Sequence, residues 1–343
     1  MTETFFEADP AKREARLDAI REVAAREGRV EARGLPVVGG PLPPALPATP
    51  DRNALPGYFG HPIVKPPVWS WEVPVYFFVG GLAGMAAVIA FAAIVTRAPL
   101  ELARCALWIA TGGALASAVL LILDLGRPSR FFNMLRVFKW RSPMSVGSWT
   151  LSAFGGAATV AAVAAQLGAP RIVLAVLAAG AALLGGALAT YTGVLLAATA
   201  IPAWFTHRRL LPVHFGVVGL GCAAALLEVL GFRLAALNAL GLATAGAETL
   251  ILAWLELRRH GPVDRALHHG RSGLLLRASG ALAGPLALGL RAAGRPLGAA
   301  ASFLIGALVS RFGWVDAGRA SALDPEATLA AQAEPGSVAD RGI

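Results

Sequence analysis

The residues best suited to chemistry lie in the run LDLGRPSRFFNMLRVFKWRSPMSVGSW, from Leu123 to Trp149. Asp124 closes a long apolar segment and Gly126-Arg127-Pro128 turns the chain. Phe131, Leu135 and Phe138 then recur at the spacing of one face of an interfacial helix, whose other face carries Arg130 and Asn133. An acid thus meets two arginines at the edge of apolar sequence. Ionisable groups cost free energy there, so each is a candidate functional group. Two chemistries fit. Asp124 can form an ion pair that anchors the loop and needs no ligand, or it can give and take a proton while Arg127 and Arg130 hold its charge where it can cycle.

The elements that must position these residues follow from composition. Apolar residues make up 56% of the 343-residue chain and charged residues only 15%, outside the range of ordinary soluble domains. Lipid must be the solvent for most of it. Segments 74–96, 100–123, 144–167, 172–198, 212–231, 235–257, 274–291 and 297–315 approach or exceed the length that crosses a bilayer. They predict an all-α integral membrane protein of about eight transmembrane helices. Arg277 and Gly284-Pro285 within the seventh segment also admit a kinked or interfacial helix. Glycine and alanine fill the segments, as in GGLAGMAA at 80–87, so the helices are expected to approach closely.

Residues 1–67 read as a mostly extramembrane N-terminal extension, an amphipathic helix over 9–29 followed by a proline-rich linker, and 321–343 as a C-terminal tail to a transmembrane domain at 68–320. Assigned to alternate sides, twenty-four lysines and arginines fall on the side of both termini and six on the other. The positive-inside rule then places both termini in the cytoplasm and the chain in the cell's inner, cytoplasmic membrane. The same distribution explains the net charge of +9 by loops and not by a nucleic-acid-binding patch.

Following the alternating direction of the segments, three of them converge on one edge. The first begins there with Glu72 and Tyr76, the second ends there at Asp124, and the fourth ends there shortly after Tyr191. A quinone needs such a layer: an apolar slot open to lipid, a hydrogen-bonding group at each carbonyl, and an acid that passes the proton when the electron leaves. Glu248 and Glu228 lie deeper in the fifth and sixth segments, where an unpaired carboxylate is held protonated. They suit either a proton path toward the second half of the chain or hydrogen-bonded packing. Cys105 and Cys222 form no CxxC pair, and His207 and His214 read as surface or interface residues with no pair of histidines placed to clamp a haem. A secondary transporter and a purely structural anchor remain alternatives on composition alone.

The Asp124–Trp149 run, with YFFVGGLAG at 76–84 and TYTGVLLA at 190–197, resembles the NrfD family, the polysulfide reductase type of integral membrane subunit. The resemblance implies eight helices in two four-helix bundles, with no haem or iron–sulfur cluster in this chain. It implies a quinone/quinol site for menaquinone or ubiquinone, and a ferredoxin-like iron–sulfur partner leading to a catalytic subunit, for example a molybdopterin enzyme. Leu125, Gly126 and Tyr191 match the family's quinone-site pattern. On the first helix, where that pattern presents Asn and His, this chain offers Glu72 and Tyr76.

Overall fold

The computed structural model describes residues 63–125, 134–258 and 261–333. Eight helices in it are long and apolar enough to cross a membrane: α1 (Glu72–Val95), α2 (Leu100–Asp124), α3 (Pro143–Gln166), α4 (Arg171–Ala197), α5 (Leu210–Val229), α6 (Ala235–Leu257), α7 (Gly270–Ala292) and α8 (Pro296–Ala322). They fall on the eight predicted segments. The main departures are α7, which starts already at Gly270, and α8, which runs past the expected end at Val315 to Ala322. Among the described residues no strand occurs, so the chain is an all-helical, multi-pass membrane protein.

The two edges of the helical array are built differently. At one edge α1–α2, α3–α4, α5–α6 and α7–α8 are joined by turns of three to five residues, each carrying one left-handed residue: Arg97 (φ 58°), Gly168 (74°), Gly231 (101°) and Gly294 (67°). The next amide then closes back on the helix, as in Ala98 N–H to the Ala93 carbonyl (2.9 Å) and Arg295 N–H to the Leu290 carbonyl (2.8 Å). Proline at 99, 170 or 296 starts three of the returning helices, where its fixed φ suits the first turn. At the other edge the connections span 125–142, 198–209 and 258–269. This loop edge, and not the turn edge, has chain to spare for a site.

The first four helices form one bundle, with α1 against α2 and α4 and with α3 closing the ring between α2 and α4. A second ring joins α5, α6, α7 and α8, and α1 and α4 pack against α5 to connect the two. Small residues permit these contacts. A Cβ at Gly84 of α1 would collide with the backbone of Gly185 in α4, and one at Gly219 of α5 would lie 2.8 Å from the Gly81 carbonyl oxygen. The expected irregularity of the seventh segment takes the form of a π-helical stretch at Leu282–Leu286 around Pro285. Proline has no N–H for the regular ladder and crowds the preceding turn, which the wider stretch relieves. There Gly284 abuts Thr249 of α6, and Ser302 of α8 donates to the Leu282 carbonyl (2.7 Å).

Before α1 the chain lies across the loop edge. Trp69 stacks on Trp204 of the short helix Pro202–Thr206 (5.2 Å, 13°), whose indole N–H donates to the Trp314 carbonyl of α8 (2.8 Å). The Arg319 Nε donates to the Pro67 carbonyl (3.3 Å). Of the interfacial helix expected at 131–138, the described part is a single helical turn at 134–136; Phe131 and Asn133 lie outside the described residues, as does the amphipathic helix at 9–29.

The Gly84–Gly185 contact leaves no room for a side chain, so Gly84→Val is expected to destabilise the protein by about 1–3 kcal/mol or prevent its assembly. Thermal unfolding in detergent checks this, and an unchanged midpoint would show that the two helices separate without cost.

Candidate functional site

Each helix of the first bundle turns one short face toward a common point at the loop edge. Val73, Tyr76 and Phe77 of α1 stand at i, i+3 and i+4, and Leu121 and Asp124 of α2, Gly147 and Ser148 of α3, and Tyr191 and Leu195 of α4 do the same from the other sides. Trp69, Met134 and Met144 complete the lining. The space enclosed is about 50 Å³, enough for a water molecule but far below the ~300 Å³ at which small-molecule pockets begin.

Tyr191 is buried, and its hydroxyl donates to the Pro143 carbonyl in the first turn of α3. Gly147 makes this possible, because a Cβ there would collide with the Tyr191 ring and hydroxyl. The start of α3 is itself fixed by Ser142, which caps the Ser145 amide (3.4 Å), and by Ser145 Oγ, which accepts from the Lys139 amide (3.0 Å). Tyr76 is 4% exposed, packs at 5.6 Å on Phe77, and its hydroxyl makes no hydrogen bond among the described residues. Half-buried Asp124 makes no ion pair among them either. Glu72, half-buried one turn before Tyr76, accepts from the Ser70 hydroxyl and is close enough to act electrostatically on Asp124. Leu125 caps α2 beside the cavity without lining it. Gly126, Arg127 and Arg130 lie outside the described residues, so the expected Asp–Arg contact does too.

Both deeper acids are hydrogen-bonded within the second bundle. Glu248 of α6 is 3% exposed, and His214 Nε2 of α5 lies 3.1 Å from its Oε1 and 3.3 Å from its Oε2, the hydrogen bond running to Oε2. The Trp314 indole, which can only donate, points at His214 Nδ1 (3.2 Å), so a neutral His214 carries its proton on Nε2, toward Glu248. His207 and His214, read from sequence as surface or interface residues, are both buried: the Trp314 ring of α8 and, for His214, the buried acid offer partners that sequence spacing does not show. Arg311, counted by sequence with the loop-edge basic residues, lies instead inside α8 at 1% exposure. Its guanidinium sits 3.7 Å over the Phe215 ring and donates to the Phe215 carbonyl (3.3 Å). Glu228 stands at the turn edge in a two-pronged pair with Arg291 of α7 (2.9 and 2.6 Å), and Arg291 also donates to Asn238 (2.8 Å).

Of the candidates, then, Tyr76, Asp124 and Tyr191 meet around one cavity with Glu72 next to it, while Glu228 and Glu248 belong to two separate clusters in the second bundle. Sequence reasoning passed over Gly147, Met134, Met144 and Trp69. Gly147 lies three residues after Met144 and so shares its helix face, but only the cross-bundle approach of Tyr191 gives that glycine its role. Gly147→Ala should cost about 1–3 kcal/mol in thermal unfolding and far less in a Tyr191→Ala background, because the clash is then gone. Equal cost in both backgrounds would place the strain elsewhere.

None of the curated proteins searched matches the chain. A family model described as "Polysulphide reductase, NrfD" matches residues 62–257, which hold α1 through α6 and all the residues of this cavity. The match covers more than half of the 343 residues, and the chain belongs to the NrfD family of membrane proteins.

Proposed function

We propose that this protein is the quinone-reactive membrane subunit of an oxidoreductase complex, and that the quinone headgroup binds at the loop-edge cavity between Tyr76, Asp124 and Tyr191. The observation that carries the reading is the convergence of two buried tyrosines and an acid without an ion pair, among the described residues, from three helices. Burying unmatched polar groups in a bundle costs free energy that a ligand's oxygens can offset. The cavity as it stands is too small for a ring. Met134 and Met144 form its outer wall, and Met144 is 54% exposed. Unbranched and flexible, they can swing aside without moving a helix, so the residues fit the group once they do.

When bound, the quinone supplies two-electron chemistry coupled to two protons. The chain's own part is to bind, orient and exchange protons. The Tyr76 hydroxyl offers a free donor to one carbonyl oxygen. Tyr191 can supply a second by turning from the Pro143 carbonyl, and Asp124, at the aqueous end of α2, takes or returns a proton. Trp69 roofs the site and, through Trp204, ties it to α8. The His214–Glu248 pair is a second place in the protein where a proton can be held, and the proposed proton path runs through it. Glu228, held by both nitrogens of Arg291, reads as an anchor of the turn edge.

Electrons must leave through a partner, since the proposal assigns no redox centre other than the quinone to this chain. A ferredoxin-like iron–sulfur subunit passing to a catalytic subunit suits the exposed loop-edge cations Arg136, Lys139 and Arg141 beside the cavity. The same edge, with both termini, is proposed to face the cytoplasm. A reporter fused to the C-terminus is expected to be active only as a cytoplasmic enzyme; a periplasm-dependent signal would reverse the orientation and the partner's compartment.

Asp124→Asn keeps the shape and removes the titrating group, so quinone-linked turnover of the assembled complex should fall about 100-fold or more. Tyr76→Phe should lower it roughly 5- to 150-fold through one lost hydrogen bond. Activity of the partner subunits with an artificial electron carrier should stay unchanged in both. Wild-type quinone turnover in both variants would refute the site, and a transporter or inert anchor would show no quinone-linked loss at all.

A further inference from the structure

At the turn edge, away from the proposed quinone site, a second cavity of about 350 Å³ opens between the α5–α6 and α7–α8 turns. The two turns are built alike. Gly231 and Gly294 are left-handed; Glu228 and Arg291, each three residues earlier, meet across the helices; and an arginine, Arg233 or Arg295, precedes the next helix. Gly241 gives Arg291 its place, since a Cβ there would collide with the guanidinium.

The basic residues of this edge are few, and most others have evident work within the protein. Arg104 donates to the Ala165 carbonyl (2.9 Å), Arg171 to the Ala98 carbonyl (3.2 Å), and Arg291 is matched by Glu228. Arg97 sits alone on the α1–α2 turn. Arg233 and Arg295 are exposed and make no ion pair or side-chain hydrogen bond among the described residues, and each belongs to one of the two turns that flank the cavity. Arg233 lines it directly, and Arg295 stands between Gly294 and Pro296, which also line it. With Glu228 and Arg291 neutralising each other, the cavity keeps a net positive charge, reinforced by the uncapped starts of α6 and α8. Phe232, Leu234, Pro296 and Leu297 supply an apolar wall, and the polar Asn238 in the lining is held by Arg291. A cationic mouth beside an apolar wall, at the level where helices leave the bilayer, suits a molecule with an anionic head and an apolar tail.

We propose that this cavity binds the phosphodiester of an anionic phospholipid, with Arg233 and Arg295 on the phosphate and the acyl chains along Phe232 and Leu297. The site is independent of the quinone cavity, and its test needs no turnover.

The purified full-length protein is titrated in zwitterionic phosphatidylcholine micelles with phosphatidylglycerol, with added phosphatidylcholine, or with inorganic phosphate, and bound lipid is counted by native mass spectrometry alongside thermal unfolding. One phosphatidylglycerol is expected to be retained roughly ten-fold more tightly than phosphatidylcholine and to raise the unfolding midpoint. Arg233→Gln with Arg295→Gln should abolish the preference while leaving the midpoint in phosphatidylcholine unchanged. Should the double variant fold poorly, Arg233→Gln alone must still weaken the preference. Equal stabilisation by millimolar inorganic phosphate would replace the lipid by a free anion and overturn the lipid assignment. Equal retention of both lipids by the wild type, or an undiminished preference in the variants, would overturn the site.

Discussion

The close approach of α1 to α4, where Gly84 and Gly185 meet backbone to backbone, is the constraint on which the rest of the structure depends. In a bilayer, apolar side chains gain nothing by leaving lipid for one another, so helices associate through packing and hydrogen bonds, and packing is densest where side chains are absent. The contact also sets register. Tyr76 lies eight residues before Gly84 on the helix entering the bundle, and Tyr191 six residues after Gly185 on the helix leaving it. At ~1.5 Å per residue both tyrosines then stand roughly 9–12 Å from the crossing, at one level near the loop edge. Larger residues at the crossing would part α1 from α4 and the two tyrosines with them.

The two bundles handle polarity in different ways. In the second, two buried acids are closed into pairs, Glu228 with Arg291 and Glu248 with His214, the latter ordered further by Trp314, while buried Arg311 keeps its Nε and Nη1 without a hydrogen-bond partner among the described residues. In the first, the Tyr76 hydroxyl and the Asp124 carboxylate face a small cavity without such partners among the described residues. Closed pairs hold a bundle in one arrangement, whereas open groups leave hydrogen-bonding capacity unused at the edge. The family match ends at Leu257, so α7 and α8 lie beyond it, and they supply Arg291, Arg311 and Trp314. Arg291 and Trp314 thus satisfy groups presented by the matched region, Glu228 and His214.

How much of this was legible in the sequence depended on whether the cause was local. Lipid demands ~20 apolar residues and internally satisfied backbone, and those demands act residue by residue, so the eight helices could be read off the chain together with the irregularity at Pro285. The convergence of Tyr76, Asp124 and Tyr191 followed from strict up-and-down alternation. Tertiary proximity was not readable. Nothing about Gly147 singles it out from the other small residues until Tyr191 is seen pressed against it. His214 near a helix start reads as a surface or interface residue until Glu248, thirty-four positions later, and Trp314, one hundred positions later, are seen to enclose it. Arg311 falls within the expected eighth segment, 297–315, yet is counted with the basic residues on the side of both termini, because sequence alone does not show a buried partner for it. The face of Phe215 and its carbonyl accommodate it inside.

The central claim is that a quinone headgroup enters the first bundle between α1, α2, α3 and α4 at the loop edge. Photolabelling of the assembled complex in membranes with an azido-quinone, followed by peptide mapping, tests it most directly. The account predicts label on the faces at Val73–Phe77, Leu121–Asp124, Met144–Ser148 or Tyr191–Leu195, suppressed by excess native quinol. Label confined to α5–α8, or label that excess quinol does not suppress, would contradict it.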